Sequence, residues 1–228
     1  MGKRIVFYIK YIFECLESII YYNDLKCVLC GKELFEDEEK YLCDKCSKNI
    51  VLCKNKYYVE RKNMRIKFYS AAYYSRSVKE MVIKLKYKKD FLCGEALSDL
   101  MFNFIRQNDL EFDEITFVPM RKEEIKKRGY NQSEFLARQI SKISKIPIKN
   151  YLFKKANTRD QIGLSGEMRW NNLENAFGVF DDNSIRNKRI LLVDDVFTTG
   201  ATGFYCARNM IFNGAKDVMV LTAAKSSI

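Results

Sequence analysis

The sequence predicts an α/β fold, a doubly wound and mainly parallel sheet preceded by a small module held by four cysteines. Three observations predict it. From about Met64 onward, short apolar runs alternate with amphipathic helical ones, the order that yields strand–helix–strand units and a parallel sheet. Upstream of that region lie two C-x-x-C pairs. Near the other end, RILLVDDVFTTGAT (Arg189–Thr202) reads as a buried strand, two adjacent aspartates, a hydroxyl-rich loop and the start of a helix. The expected division is residues 1–62, an amphipathic helix with the cysteine module, and residues 63–228, the α/β domain.

The N-terminal segment MGKRIVFYIKYIFECLESIIYYN has Ile5, Ile9, Ile12, Phe13, Leu16, Ile19 and Ile20 at helical spacing. Lys10, Glu14 and Glu17 interrupt it, so no uncharged stretch is long enough to span a bilayer, and no small-residue cleavage pattern follows. A helix docked on the protein and a cytoplasmic location are expected. The chain carries a net charge of +11, which suits an anionic partner, and it contains no histidine. That absence excludes Ser-His-Asp and Cys-His catalysis and any His-ligated metal.

Cys27 and Cys30 form one pair and Cys43 and Cys46 the other. Each C-x-x-C turn brings two sulfurs to one ion, and two turns complete a tetrahedron, so structural Zn²⁺ is expected there. No strand-to-helix unit surrounds either pair, which argues against a thioredoxin-like redox motif. Four thiolates leave no open position, so the metal supports folding rather than catalysis. Cys15, Cys53, Cys93 and Cys206 are expected to be buried or incidental thiols.

In the second part, RIKFYSAAYYS reads as one or two strands. Ser77–Tyr87 and Gly94–Arg106 read as helices, and Glu114–Pro119 as a short strand ended by proline. Helical periodicity resumes at Ser133 after a polar segment, while Tyr151–Phe180 has no clear period and reads as a long loop. Arg189–Asp194 is expected as a strand, Gly203–Asn213 as a helix stopped by Gly214, and Asp217–Ala223 as a last strand.

Asp194 and Asp195 then fall at the carboxyl end of a buried strand, where open α/β sheets bind their ligands. The loop Thr198, Thr199, Gly200, Ala201 and Thr202 leads into a helix, so its hydroxyls and amides can converge on a phosphate. No lysine follows Gly200, which excludes a Walker A loop. A response-regulator receiver would place such a strand at the start of its domain. Hydroxyl acceptors beside phosphate donors suit a ligand that carries both groups.

This run closely resembles the phosphoribosyl-diphosphate (PRPP) signature of type I phosphoribosyltransferases. The resemblance implies that Asp194 and Asp195 bind the ribose hydroxyls, that Thr198–Thr202 receives the 5′-phosphate, and that Mg²⁺ bridges diphosphate and ribose. VPMRKEEIKKRGYNQSEFLA (Val118–Ala137), TRDQIGLSGEMRWNNLENAF (Thr158–Phe177) and VIKLKYKKD (Val82–Asp90), with the four cysteines, resemble the ComF/GntX family over almost the whole chain. That family looks like type I phosphoribosyltransferases with an N-terminal zinc module, and members from competent bacteria are associated with DNA uptake. By this likeness Arg159 and Arg169 belong to a loop closing over PRPP and are the catalytic candidates. Lys86 and Arg121, with the neighbouring lysines and Arg128, are candidates to neutralise diphosphate. Many relatives carry a further C-x-x-C pair where this chain has only Cys53, so a second metal site is not expected.

Two functions follow. One is an enzyme that transfers phosphoribose from PRPP to an acceptor with loss of diphosphate. The other is a binding protein that senses PRPP while its basic surface contacts single-stranded DNA or a DNA-translocating ATPase. No segment of the sequence identifies an acceptor.

Overall fold

The computed structural model describes residues 26–34, 40–155, 170, 173–180 and 183–226. The expected amphipathic N-terminal helix, Cys15, Arg159 and Arg169 lie outside the described residues. No described helix is long and apolar enough to cross a membrane.

The five-stranded sheet begins with a hairpin. β1 (Tyr57–Arg61) pairs antiparallel with β2 (Met64–Tyr73) across Lys62 and Asn63, both with positive φ, 51° and 58°. Two left-handed residues in a two-residue loop match the right-handed twist of the flanking strands. The expected boundary at 62/63 falls in this turn. β3 (Glu114–Phe117), β6 (Arg189–Phe197) and β7 (Asp217–Lys225) complete the sheet in the order β1-β2-β7-β6-β3, and every pairing beyond the hairpin is parallel. The doubly wound, mainly parallel architecture is therefore present, with an antiparallel edge strand.

Strand periodicity sorts the core into two layers. Ile115, Leu191, Val193, Met219 and Leu221 face one side, and Ile190, Leu192, Val218 and Val220 face the other. The first side is covered by α2 (Arg76–Ile83), α3 (Phe91–Gln107) and α5 (Gln132–Ser144). The second is covered by α6 (Ala201–Phe212) and a small antiparallel sheet of β4 (Leu152–Lys154) and β5 (Phe177–Val179). The cysteine module, with its short α1 (Asp44–Ser47), joins the first layer: Cys27, Leu34, Leu42 and Cys43 are buried with it. Tyr41 donates to Glu95 of α3 at 2.8 Å, and the Lys84 ammonium donates to the Val28 carbonyl at 2.8 Å.

Some boundaries differ from expectation, for physical reasons. The polar segment after Pro119 holds a further helix, α4 (Lys122–Arg128), whose charges hide its periodicity. β4 and β5 are three residues each, too short to show a period. α2 runs on into one π turn, Lys84–Lys88, which ends at Lys89 with a left-handed φ of 55°. Such turns insert a residue into the helical register and re-aim the side chains around it. Leu85 stays buried, while its neighbour Lys86 reaches the carboxyl end of the sheet.

Candidate functional site

β6 does not stop at the aspartates but continues to Phe197. Ile190, Leu192 and Phe197 pack on the α6 side, and Leu191, Val193 and Val196 on the other. A strict period of two would put Leu192 and Phe197 on opposite faces, so the alternation slips at the acidic pair. There the backbone amides turn to side chains: Asp195 N–H donates to Asp194 Oδ1 at 2.9 Å, and Val196 N–H to Asp195 Oδ1 at 2.7 Å.

The two carboxylates have different surroundings. Asp194 lines a small cleft together with Val196–Gly203, Phe68, Leu173, Val220 and Thr222. Its Oδ1 also accepts from Ser133 Oγ at 2.8 Å. Burial, then the charge of Asp195, push Asp194 up to about 7, although the Ser133 hydroxyl, the Asp195 amide and Lys86 act in the opposite direction. Asp195 is buried and instead meets the Lys86 ammonium, 2.5 Å from its Oδ2. Burial alone would lower Lys86, but Asp195, and then Asp194, hold it above its ordinary value.

The loop between β6 and α6 is shaped by Gly200, with φ 79°. A Cβ there would fall 2.6 Å from the Phe197 ring and 3.0 Å from Val59 Cγ2, so both conformation and space demand glycine. The first intrahelical amide is Phe204 N–H, on the Gly200 carbonyl at 2.9 Å. The amides before it have no intrahelical partner, and the helix dipole adds partial positive charge at the same end. Thr199 Oγ1 accepts from Ala201 N–H at 3.4 Å, a long contact that leaves most of that donor's capacity unused. Thr198, Thr199, Gly200, Ala201 and Thr202 all line the cleft with Asp194. Free helix-start amides and a carboxylate thus share one small cleft.

Other expected residues are placed differently. Lys86 is brought to the acidic pair, although it does not line the cleft. Arg121 is turned toward Glu124: its amide donates to Oε2 at 3.0 Å and its Nη2 to Oε1 at 3.2 Å, at the start of α4. The Lys154 ammonium, 3.5 Å away, shares that carboxylate. The residue that sequence reasoning missed is Ser133. Asn131 caps α5 by accepting from Ser133 N–H at 3.0 Å, and its Nδ2 donates to the Val118 carbonyl at 2.9 Å. The signal was an Asn–Gln–Ser helix start two residues after Gly129, readable as a cap but not as a partner for a carboxylate 61 residues on.

The four cysteines converge. The sulfurs of Cys27, Cys30, Cys43 and Cys46 all lie within 4.8 Å of one another, with Cys30 Sγ and Cys43 Sγ 3.6 Å apart. Zn–S bonds of about 2.3 Å arranged tetrahedrally put sulfurs roughly 3.8 Å apart, so the cluster is compatible with structural zinc. The turns are built for it: Cys27 N–H bonds the Lys32 carbonyl at 2.7 Å and Gly31 N–H the Cys27 carbonyl at 2.8 Å. Burial would raise the Cys27 thiol, but amides of Cys30, Cys43 and Leu29 outweigh it and bring it down to about 6. Cys53, Cys93 and Cys206 are buried single thiols, as expected.

A mainly parallel α/β sheet, with an acidic pair and a helix-starting loop at one strand's carboxyl end, is the type I phosphoribosyltransferase-like fold that the sequence predicts. The chain belongs to the competence protein F (ComF) family: it is 30% identical over 161 residues to Competence protein F of Haemophilus influenzae, covering 68% of this chain and 70% of that protein. It is 29% identical to the DNA utilization protein YhgH of Escherichia coli, over 66% of this chain and 68% of that one. Competence protein ComFC of Bacillus subtilis is 28% identical over 67% of this chain and 62% of its own length. No family model matches. Among solved structures, a glutamine PRPP amidotransferase from B. subtilis is 20% identical, with a TM-score of 0.41 over 57% of this chain and 26% of that chain. An adenine phosphoribosyltransferase from Thermoanaerobacter pseudethanolicus is 12% identical, with a TM-score of 0.40 over 80% of this chain and 98% of that one.

Proposed function

We propose that this protein binds PRPP with Mg²⁺ in the cleft at the end of β6 and transfers its phosphoribosyl group to an acceptor, in the handling of DNA taken up during natural competence. The observation that carries the reading is that Asp194 and the first amides of α6 line one cleft. A ribose 5-phosphate unit presents hydroxyls and a phosphate with that same division. The carboxylates of Asp194 and Asp195 accept from the ribose hydroxyls, while Thr198–Thr202 donates to the phosphate. Lys86 has a second task in this reading: when hydroxyls replace its ammonium at Asp195, it is free to neutralise the diphosphate. Arg159 and Arg169 supply further positive charge over the leaving group. Mg²⁺, when bound, would offset the charge of the diphosphate. Cys27, Cys30, Cys43 and Cys46 hold one Zn²⁺ that braces the module against α2 and α3, and such reduced thiolates suit the cytoplasm.

A second reading keeps the pocket but not the turnover: PRPP is sensed, and the basic surface contacts single-stranded DNA or a DNA-translocating ATPase. The net charge of +11 favours it. Calorimetry with PRPP and Mg²⁺, followed by a diphosphate-release assay across purine and pyrimidine acceptors, separates the two. Binding with release supports the transferase. Binding without release supports the sensor, and no binding removes both.

A further inference from the structure

Between the cysteine module and α3 runs an open groove of about 380 Å³. One wall is α3 itself. Ala96, Leu100, Asn103 and Gln107 line it at steps of four, three and four residues, so the groove follows one helix face for three turns. That is about 16 Å of helix. The facing wall is built by Leu42, Ser47 and Ile50 of the module and by Leu52 and Cys53.

The apolar lining of this groove is incompletely covered. Leu42 and Ala96 are buried, Ile50 and Leu100 only half-buried, and Leu52 is left 46% exposed, with Val51 beside it at 55%. Segment 51–53 is pinned there by the sheet: Cys53 N–H donates to the Ala71 carbonyl at 3.0 Å, and Tyr73 N–H to the Val51 carbonyl at 2.8 Å. These side chains are therefore fixed along the groove. An apolar groove that tracks a helix face, with exposed Lys40, Asn103 and Gln107 at its rim, fits the apolar stripe of a second helix. A compact ligand would engage one or two turns of α3, not three.

The chain itself supplies such a helix. Residues 1–25 lie outside the described residues, and Ile5, Ile9, Ile12 and Leu16 recur there at the same steps of four, three and four. From Ile5 to Ile20 a helix would measure about 22 Å, enough to span the groove. Its point of attachment is at one end of the groove. Val28, just after the segment, sits against the start of α3: its carbonyl accepts from Lys84 at 2.8 Å and from Cys93 Sγ at 3.9 Å. A helix entering there runs against α3, the orientation in which the two helix dipoles attract.

We propose that residues 5–20 form a helix seated in this groove, antiparallel to α3, with its apolar stripe on Leu42, Leu52 and Leu100. The helix ties the cysteine module to the α/β domain. The proposal is independent of PRPP and of any DNA contact.

The test is hydrogen exchange, read by mass spectrometry on peptides from residues 5–20 of the full chain. The parent should protect this segment. Leu52→Asp and Leu100→Asp, one on each wall, should each speed its exchange by about tenfold or more while circular dichroism and zinc content are kept. Leu52 is exposed enough for its replacement to spare the fold even where Leu100→Asp does not. From the other side, Ile12→Asp should raise carbodiimide labelling of Asp99, a half-buried carboxyl on the groove wall. Phe212→Asp is the control, a 65% exposed side chain on α6 in the opposite layer, and should change neither readout. Fast exchange in the parent, protection kept in Leu52→Asp, or an equal loss in Phe212→Asp would each overturn the docking. So would unchanged Asp99 labelling in Ile12→Asp. Protection lost on dilution together with a dimer would overturn it in favour of a second copy of the chain. Protection gained only on phosphatidylglycerol vesicles would overturn it in favour of a membrane surface.

Discussion

The cysteine module and the acidic strand end are both announced by short sequence motifs, yet they are completed in opposite ways. Cys27, Cys30, Cys43 and Cys46 come together through two local turns, and their sulfurs need no other residue. Asp194 and Asp195 are adjacent in sequence but are completed from a distance, by Ser133 from the start of α5 and Lys86 from the π turn after α2. A closed ligand set is therefore readable from spacing alone. A site assembled from several elements is readable only in the part that is contiguous. The module finishes its chemistry when it folds, whereas the acidic pair keeps a carboxylate and a row of helix amides for something else.

The largest effect should come from breaking the closed set. Cys27→Ser, or prolonged treatment with a strong chelator, should unfold the module and lower the melting temperature of the whole chain, because Leu34, Leu42 and two of the cysteines share a core with α2 and α3. Cys206→Ser, at a buried single thiol on the opposite layer, should cost far less. Elemental analysis should find about one zinc per chain. A preparation that melts normally and contains neither zinc nor iron would contradict this.

The open set should respond to pH around neutrality. Burial and the charge of Asp195 push Asp194 up to about 7 in the folded protein, whereas an unfolded aspartate keeps its ordinary value of 3.8. Between those values the folded state holds the extra proton, so its stability falls as pH rises and the full cost is present above 7. Asp194→Asn removes that cost and should raise the melting temperature at pH 8, by about 2–4 °C for each kcal/mol recovered in a chain this long. Ligand affinity should move the other way. A hydroxyl needs the ionised acceptor, so PRPP affinity at pH 6 should be roughly tenfold below that at pH 8. A pH-independent affinity in calorimetry would detach Asp194 from the ligand.

Much of the fold was legible. The apolar runs Ile190–Val193 and Val218–Leu221 could only be buried strands, and the helix after Gly200 followed from the loop. The antiparallel edge strand β1 was not legible, since Tyr57–Arg61 mixes aromatic and charged residues and its place depends on β2. In the site, Asp194, Asp195 and Thr198–Thr202 were visible because they are contiguous. Ser133 was hidden because its hydroxyl meets Asp194 only once α5 is docked. Arg121 illustrates the converse, since a basic residue beside a proline-ended strand looked available until Glu124 was seen to engage it.

Smaller effects sharpen the comparison further. Thr199→Val should weaken PRPP binding about tenfold, through a lost hydroxyl-to-phosphate hydrogen bond of about 1.5 kcal/mol, and leave ribose binding almost unchanged. Ser133→Ala should be smaller still. It removes one donor to Asp194, so the pH midpoint of ligand binding should shift upward while the fold persists. An unmoved midpoint in a pH series would show that Ser133 has no hold on the carboxylate.

The most direct test of the acidic strand end is calorimetric titration of Mg²⁺ and PRPP into the parent and into the double variant Asp194→Asn/Asp195→Asn. Each carboxylate-to-hydroxyl bond is worth about 1.5–3 kcal/mol, so either single change should cost roughly ten- to a hundredfold in affinity. The double variant should lose detectable binding while keeping its circular dichroism spectrum and zinc content. PRPP binding by the double variant with the parent's affinity would contradict the assignment of this cleft.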